Sequence, residues 1–269
     1  MKELIWQQIL KVRENAPLVH NITNYVVMNN TANALLACGA SPVMAHAYPE
    51  MDDMVAIAGA LVVNIGTLDE YWVESMETAS SQAVRLNKPW VLDPVGAGAT
   101  PYRNQVIKQL MAHKPSIIRG NASEIISIAG AQTGTTKGVD SVHGSSDAVN
   151  VSRQLNKTSG AVVCVSGATD FIISGSRTAA LDNGHPMMSR VTGLGCTASA
   201  LTGAFAAVNP SGLFLACVSA MALLGVAGEF AASKAQGPGT LQLYLLDELY
   251  GLKEEDFMRI VKVSERDGE

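Results

Sequence analysis

Short apolar runs rich in valine and isoleucine alternate with longer segments of helical pattern along most of the chain. The runs are ALVVNIG at 60–66, PWVLDPV at 89–95, PSIIRG at 115–120 and AVVCVSG at 161–167. Continuous apolar runs of this length are typical of strands buried on both faces and joined by helical crossovers. The pattern predicts an α/β fold whose central sheet is mostly parallel and is covered by helices on both faces.

The alternation of strands and helices is interrupted between residues 167 and 191. There, TDFIISGSRTAALDNG predicts two strands joined by a Gly-Ser turn. Such a hairpin adds an antiparallel edge to the sheet. Segment 131–146 has almost no apolar residues, so we expect an exposed excursion there. The N-terminal MKELIWQQILKVREN has helical apolar spacing with charges throughout, which predicts a helix rather than an export signal.

Composition narrows the class of protein to a soluble metabolic enzyme. The chain has 269 residues, 16% of them charged, and a net charge of −5. No linker divides it, so we expect a single domain over residues 1–269. The acidic balance argues against nucleic acid or an anionic membrane surface as a partner. Four scattered cysteines without a Cys-x-x-Cys pair indicate a reducing, cytoplasmic setting.

The run LFLACVSAMALLGVAG at 213–228 resembles a membrane span more than any other segment of the chain. It is shorter than the ~20 apolar residues that a spanning helix needs, and Glu229 follows it directly. Its many small residues favour a tightly packed helix inside the protein. We therefore expect no membrane as a partner.

The stretch VTGLGCTAS at 191–199 is the strongest candidate for a binding site. A glycine-rich turn opens a helix, and the first amides of a helix lack internal acceptors and lie at its positive end. We expect an anion hole built from Gly193, Gly195, Cys196 and Thr197. The alternative is that these glycines only begin a well-packed helix.

Two upstream motifs carry carboxylates at predicted strand ends. Asp93 lies in VLDPVGAG, and RGNASEI places Glu124 three residues after the N-cap candidate Asn121. Carboxylates suit Mg²⁺, although Glu124 also fits a capping box and Asp93 a turn. Because Asp93, Arg119, Ser166 and Gly193 all follow strand ends, the topology predicts one shared site there.

Taken in order, DPVGAG, RGNASE, VCVSGATD and VTGLGCTAS resemble the ribokinase-like superfamily. The stretch PLVHNITNYVVMNNTANALLACGASPVMAHAYPEM at 17–51 resembles one family within it, the hydroxyethylthiazole kinases of thiamine salvage. This resemblance implies a ribokinase-like three-layer sandwich and an ATP- and Mg²⁺-dependent phosphorylation of 4-methyl-5-(2-hydroxyethyl)thiazole. It also implies a homotrimer with pockets between subunits.

The resemblance and the chemistry together assign roles to further residues. Arg119 and Ser166 are expected to bind the nucleotide, although the family would have threonine at the position of Ser166. Asp93 and Glu124 are expected to hold Mg²⁺. For the thiazole alcohol, the resemblance implies Met44 and Gly193.

The neighbourhood of Met44 is apolar or weakly polar, which suits a small neutral aromatic alcohol better than a sugar. Asn24, in that neighbourhood, is the expected polar contact to this alcohol, together with the apolar residues Val26 and Pro42. His20 and His46 lack metal-ligand spacing and are expected to be structural or to face solvent.

Cys196 stands where most ribokinase-like enzymes have an aspartate that accepts the proton of the substrate hydroxyl, and the thiazole kinases carry cysteine there. A thiol is a weak base near neutrality, but a loose transition state needs little proton removal. Cys196 is therefore the candidate catalytic residue, either as a base or only as part of the anion site. A covalent nucleophile is the rival interpretation, yet no His or Asp lies close in sequence to activate the thiol.

Three other functions remain compatible with the same motifs. A hydroxymethylpyrimidine or pyridoxal kinase shares the kinase chemistry. An ATP-dependent nicotinamide-hydrate dehydratase shares the fold, although aspartate would be expected in place of Cys196. A thiazole-binding protein without catalytic activity is the last alternative, and it would bind without releasing ADP.

Overall fold

The computed structural model describes residues 1–133 and 145–267. The predicted excursion at 131–146 therefore lies for the most part outside the described residues. Within the described part of the chain, one nine-stranded sheet runs through the molecule in the order β2-β1-β3-β4-β5-β6-β7-β8-β9. The strands are β1 Leu18–Ile22, β2 Ser41–Val43, β3 Ala60–Asn64, β4 Trp90–Asp93, β5 Ile117–Asn121, β6 Val162–Ser166, β7 Asp170–Ser174, β8 Arg177–Leu181 and β9 Val263–Asp267.

Strands β1 to β6 are parallel to one another, whereas β6 and β7, β7 and β8, and β8 and β9 pair in antiparallel fashion. The four apolar runs form β3, β4, β5 and β6, as predicted. The predicted hairpin is also confirmed, with Gly175 in its turn at a φ of 60°. Strand β9, which completes the antiparallel part, was not predicted.

Eleven helices lie around the sheet in the described residues. They are α1 Lys2–Asn15, α2 Met28–Cys38, α3 Met51–Ile57, α4 Glu70–Arg85, α5 Pro101–Ala112, α6 Ala122–Thr133, α7 Ser145–Ser159, α8 Leu194–Val208, α9 Leu213–Lys234, α10 Pro238–Gly251 and α11 Glu254–Ile260. A 3-10 turn, Pro186–Arg190, precedes α8.

Two apolar cores, one on each face of the sheet, make the fold a three-layer sandwich. On β3, Val62 joins the core formed with α1, α2, α8, α9 and α10, whereas Leu61 and Val63 join the core formed with α3 to α7. This division follows from the strand geometry, since successive side chains point to opposite faces. The predicted α/β sandwich with helices on both faces is confirmed.

Helix α9 contains the run that resembles a membrane span. It is 22 residues long and contains an 18-residue window with a mean hydropathy of 2.0, and in length and composition it is the one helix of the described residues that could cross a membrane. However, 78% of its apolar window is buried inside the protein. It packs against α8, α10 and α1, so its apolar surface is used within the core, as predicted.

Candidate active site

A cavity of about 740 Å³ opens at the carboxyl ends of the central strands. The N-terminus of α8 and the segment from Asn183 to Val191 close its other side. The cavity is lined by seven residues that the sequence predicted, namely Asp93, Arg119, Glu124, Ser166, Gly193, Gly195 and Cys196. The structure brings these residues together at one edge of the sheet, because parallel strands end at the same edge, although Gly193 follows a 3-10 turn rather than a strand.

Helix α8 begins without any side-chain cap. Its N-cap, Gly193, has a φ of 82°, a left-handed conformation that favours glycine. The amide of Thr197 already donates to the carbonyl of Gly193 at 2.8 Å, as in an ordinary first helical turn. The Thr197 amide is therefore not available to a ligand, contrary to the predicted anion hole, whereas Leu194, Gly195 and Cys196 line the cavity.

Arg119 lies almost buried beside this helix end. Its Nη2 donates to the hydroxyl of Ser166 at 2.7 Å, and its Nε has no hydrogen-bond partner in the described structure. A Cβ on Gly195 would come within 2.8 Å of Arg119 Nη1, so the glycine makes room for the guanidinium. The structure thus brings together Arg119, Ser166 and Gly195 as the sequence predicted.

Asp93 ends β4 and is 1% exposed. Its Oδ2 accepts hydrogen bonds from Asn64 Nδ2 at 2.6 Å and from Ser199 Oγ at 2.8 Å. Burial raises the pKa of Asp93 to about 6, although the nearby charge of Arg119 and these two bonds lower it. Sequence analysis missed Asn64 and Ser199. Asn64 is the last residue of its strand, as Asp93 is of the next, and this shared position is the signal that could have revealed it.

Glu124 forms the capping box that its spacing allowed. The Asn121 side chain accepts from the Glu124 amide at 2.9 Å, and Glu124 Oε2 accepts from the Asn121 amide at 2.9 Å. The other carboxylate oxygen accepts from the Gly96 amide at 3.0 Å. The capping interpretation is thus correct, and the same carboxylate also faces the cavity.

The Cys196 thiol is half-buried at the first turn of α8. Asn24 Nδ2 donates to its sulfur at 3.4 Å. Burial, followed by the negative charge of Asp93, raises the pKa of Cys196 to about 11. The helix N-terminus therefore does not make this thiol an effective base, and near neutral pH the cysteine is protonated.

Neither Asn24 nor Met44 lines the cavity. Asn24 contacts the sulfur of Cys196, which does line the cavity, and Met44 is a half-buried residue directly after β2. The carbonyl of Met44 lies 2.8 Å from His46 Nδ1, and His20 Nε2 lies 2.9 Å from the carbonyl of Ala45. Both histidines thus contact the main chain, and in the described residues no group of three or more His, Cys, Asp or Glu side chains is placed to hold a metal.

Two further cavity residues were not predicted. Asp170, at the start of β7, accepts from the Gly167 amide at 2.9 Å, and burial raises its pKa to about 6. Asn183 donates to Glu229 Oε1 and to the carbonyl of Ile260, and accepts from the Lys262 amide at 2.6 Å. The segment that closes the cavity is thereby attached, through Asn183, to α9 and to the chain at the junction between α11 and β9.

The fold is that of the ribokinase-like class. The protein superposes on a ribokinase-like superfamily protein from Enterococcus faecalis with a TM-score of 0.64 over 93% of this chain and 94% of that chain. At 12% identity this likeness shows the fold alone. The hydroxyethylthiazole kinase family matches residues 9–255, and the chain belongs to that family.

Individual relatives agree with this assignment. The hydroxyethylthiazole kinase of Syntrophus aciditrophicus is 56% identical over 97% of both chains. The structure of the hydroxyethylthiazole kinase protein from Pyrococcus horikoshii has a TM-score of 0.92 and 44% identity, and covers 99% of this chain and 100% of that chain. The prediction of a hydroxyethylthiazole kinase, made from the sequence motifs, is confirmed.

Proposed function

We propose that this protein transfers the terminal phosphoryl group of ATP to the hydroxyl of 4-methyl-5-(2-hydroxyethyl)thiazole and releases the phosphate ester and ADP. The whole chain, residues 1–269, would act as one kinase domain. Membership of the family supports the reaction. The residues of the cavity supply the reasons why the chain can perform it.

The observation that carries the proposal is the meeting of two positive features in one cavity. The buried guanidinium of Arg119 lies against Gly195, at the positive end of α8. A cation and a helix N-terminus repel each other unless an anion lies between them. A phosphate group satisfies both, and the uncapped amides of Leu194, Gly195 and Cys196 supply its hydrogen-bond donors.

Mg²⁺ fits the two carboxylates that line the same cavity, Asp93 and Glu124. Both bonds to Asp93 end on Oδ2, so Oδ1 is left for a metal or its water. Glu124, held by two backbone amides, presents a second hard oxygen ligand. Mg²⁺ is commonly held by one or two carboxylates together with substrate phosphates, which agrees with this pair. When bound, the ion would neutralise charge on the phosphates.

The protein's contribution to the transfer step is then position and charge. The α8 amides would hold oxygens of the transferred group, and Arg119 would balance charge that moves toward the leaving oxygen. Ser166 holds the guanidinium in place through its 2.7 Å bond. Because the transition state is loose, these groups need not form a bond to the phosphorus.

Cys196 is proposed to lie beside the acceptor hydroxyl. With a pKa of about 11, the thiol would act as a weak hydrogen-bond partner rather than as a strong base. The hydroxyl proton would leave late, when the phosphoryl group has largely moved. Catalysis by the helix end would then not depend on the cysteine.

Met44, Asn24 and Gly193 remain the proposed contacts to the thiazole alcohol. Met44 lies outside the cavity of the single chain, so a pocket completed between subunits of a homotrimer would account for its role. We also propose a cytoplasmic location, which four free cysteines favour, three of them buried.

A coupled assay of ADP release tests the proposal. We expect release that requires both Mg²⁺ and the thiazole alcohol, with hydroxymethylpyrimidine and pyridoxal as poor acceptors. ADP release at an equal rate without any acceptor would contradict the substrate assignment. Faster turnover of pyridoxal or hydroxymethylpyrimidine would favour the other kinases, and binding of the thiazole without ADP release would indicate a non-catalytic protein.

A further inference from the structure

Asn64 is hydrogen-bonded to residues of two separate sequence motifs, Asp93, which lines the cavity, and Asn24, which contacts Cys196. It ends β3, is 1% exposed, and pairs in register with Asp93 on β4. Its Nδ2 donates to Asp93 Oδ2 at 2.6 Å, and its Oδ1 accepts from the Gly66 amide at 2.9 Å and from Asn24 Nδ2 at 2.8 Å. One buried amide therefore contacts the carboxylate on the nucleotide side and Asn24 on the acceptor side.

The direction of these hydrogen bonds is fixed by the main chain. A backbone N–H can only donate, so the Gly66 amide requires the oxygen of the Asn64 side chain and turns its NH₂ group toward Asp93. In the same way, the Val26 amide donates to Asn24 Oδ1 at 3.1 Å. The NH₂ group of Asn24 must then face Asn64 Oδ1 and the sulfur of Cys196.

A buried side chain of this kind is costly unless it is fully bonded. The other residues of β3 that contribute to the cores, Leu61, Val62 and Val63, are apolar and completely buried. A packing role at position 64 would be met by another such residue, since burying an amide without partners costs ~1–3 kcal/mol. Asn64 differs from the buried Asn21 on β1, whose Oδ1 has no partner, because both groups of its amide are bonded and one of these bonds is to Asp93.

We propose that Asn64 is a positioning residue for phosphoryl transfer, holding Asp93 on the nucleotide side and, through Asn24, the Cys196 sulfur on the acceptor side. The inference rests on the proposed function for the reaction itself. It predicts that loss of one amide disturbs both sides of the cavity. Loss of the hydrogen bond between Asn24 and Asn64 alone disturbs only the acceptor side.

The test compares two variants at position 64 with one variant at Gly66. Asn64→Leu removes the amide at similar volume, and Asn64→Asp places an acceptor where Asp93 needs a donor. In Gly66→Ala the new Cβ would lie 2.6 Å from Asn24 Nδ2. The substitution therefore displaces the Asn24 side chain, while the Asn64 side chain itself is retained. The measurements are kcat, the KM of each substrate, ADP binding by calorimetry as a function of Mg²⁺ concentration, and thermal unfolding.

For Asn64→Leu we expect kcat to fall about 100-fold and the Mg²⁺ concentration for half-maximal ADP binding to rise about tenfold. Asn64→Asp should be at least as impaired. Gly66→Ala should lower kcat or raise the KM of the alcohol while ADP binding stays within twofold of wild type.

Asn21→Leu is the matched control, because Asn21 is a fully buried amide on the neighbouring strand β1 and bonds only the carbonyl of Val19. It should lower stability without changing the Mg²⁺ dependence. Asn64 variants that behave like Asn21→Leu would overturn the inference, as would wild-type kcat in Asn64→Asp.

The ADP-binding measurement needs no acceptor. It therefore tests the proposed role of Asn64 in holding Asp93 even if the thiazole alcohol proves not to be the substrate. If Asn64→Leu does not fold, the Mg²⁺ dependence of Asn64→Asp tests the same role. Unchanged ADP binding in that variant would also overturn the inference.

Discussion

Helices α6 and α8 begin at the same cavity, but they differ in whether their first backbone amides are capped by side chains. At the start of α6, Asn121 and Glu124 exchange hydrogen bonds with each other's amides, so the protein itself satisfies that helix end. At the start of α8, Gly193 has no side chain to offer, and the residues that follow it, Leu194, Gly195 and Cys196, line the cavity. A closed helix end supplies a fixed carboxylate, whereas an open one supplies donors to a ligand.

In the proposed reaction, the closed end and the open end would divide the chemistry of a kinase between them. The α6 side offers negative oxygens that suit a cation, and the α8 side offers positive groups that suit a phosphate. Changes at four positions would break or sharpen this division. They are ordered from the largest expected effect on catalysis to the smallest.

Gly193→Ala should have the largest effect because it alters the open helix end itself. The residue takes a φ of 82°, and its new Cβ would lie 2.5 Å from Val27 Cγ1. Displacing the α8 amides should lower kcat/KM for ATP by about 100- to 1000-fold in the ADP-release assay. The control is Gly237→Ala at the N-cap of α10, where φ is 178° and the added Cβ would meet no atom within 4 Å. Near wild-type activity of Gly193→Ala would contradict the role of the open end.

Glu124→Gln should come next, because it removes the charge of the closed end and keeps its shape. We expect kcat to fall by about 100-fold and the Mg²⁺ requirement to rise, since a neutral amide is a poor ligand for the ion. Asp69→Asn is the matched control. Asp69 caps α4 by accepting from the Trp72 amide at 2.9 Å and does not line the cavity. Equal Mg²⁺ dependence in Glu124→Gln and wild type would exclude Glu124 as a ligand.

Cys196→Ala should lower kcat less than tenfold, since the amide of residue 196 remains in place and the thiol is a weak base. Cys196→Asp should retain or raise kcat, because a carboxylate accepts a proton more readily at neutral pH. Steady-state kinetics with both substrates measure the two effects. An inactive Cys196→Asp enzyme that still binds both substrates would refute this assignment.

Asp170→Asn should change turnover least and stability most visibly. Asp170 closes the turn after β6 by accepting from the Gly167 amide, and asparagine keeps that acceptor without the buried charge. The pKa of Asp170 is raised to about 6 from 3.8, so the folded state binds its proton more tightly than the unfolded state does. Stability of the wild type is therefore lost as pH rises from about 4 through about 6.

The asparagine variant avoids this loss. Its gain in the free energy of unfolding should grow from near zero at about pH 4 to roughly 3 kcal/mol above about pH 6. Urea unfolding across this range, followed by circular dichroism, measures the difference. A gain of the same size at every pH would show that burial of the charge is not its cause.

The sequence could predict the strand ends because their signals are local. Each of Asp93, Arg119 and Ser166 stands at the end of an apolar run, and parallel strands bring such ends together whatever their separation in the chain. The glycine turn before α8 was visible for the same reason. These features needed only periodicity and turn residues, together with the family resemblance for their roles.

The hydrogen bonds behind the site could not be predicted in this way. The bond from Ser199 to Asp93 joins residues 106 positions apart, and nothing in a helix of small residues marks that serine. Asn64 could equally be a turn residue, since its position before Gly66 is typical of a strand end followed by a loop. Thr197 belongs to the motif, yet only the three-dimensional structure shows that its amide is already bonded.

The attachment of Asn183 to Glu229, Ile260 and Lys262 has a practical consequence for anyone who shortens this enzyme. The wall of the cavity is anchored by the main chain of Ile260 and Lys262, so a deletion that removed Ile260 onward would loosen a surface assembled from the middle of the sequence.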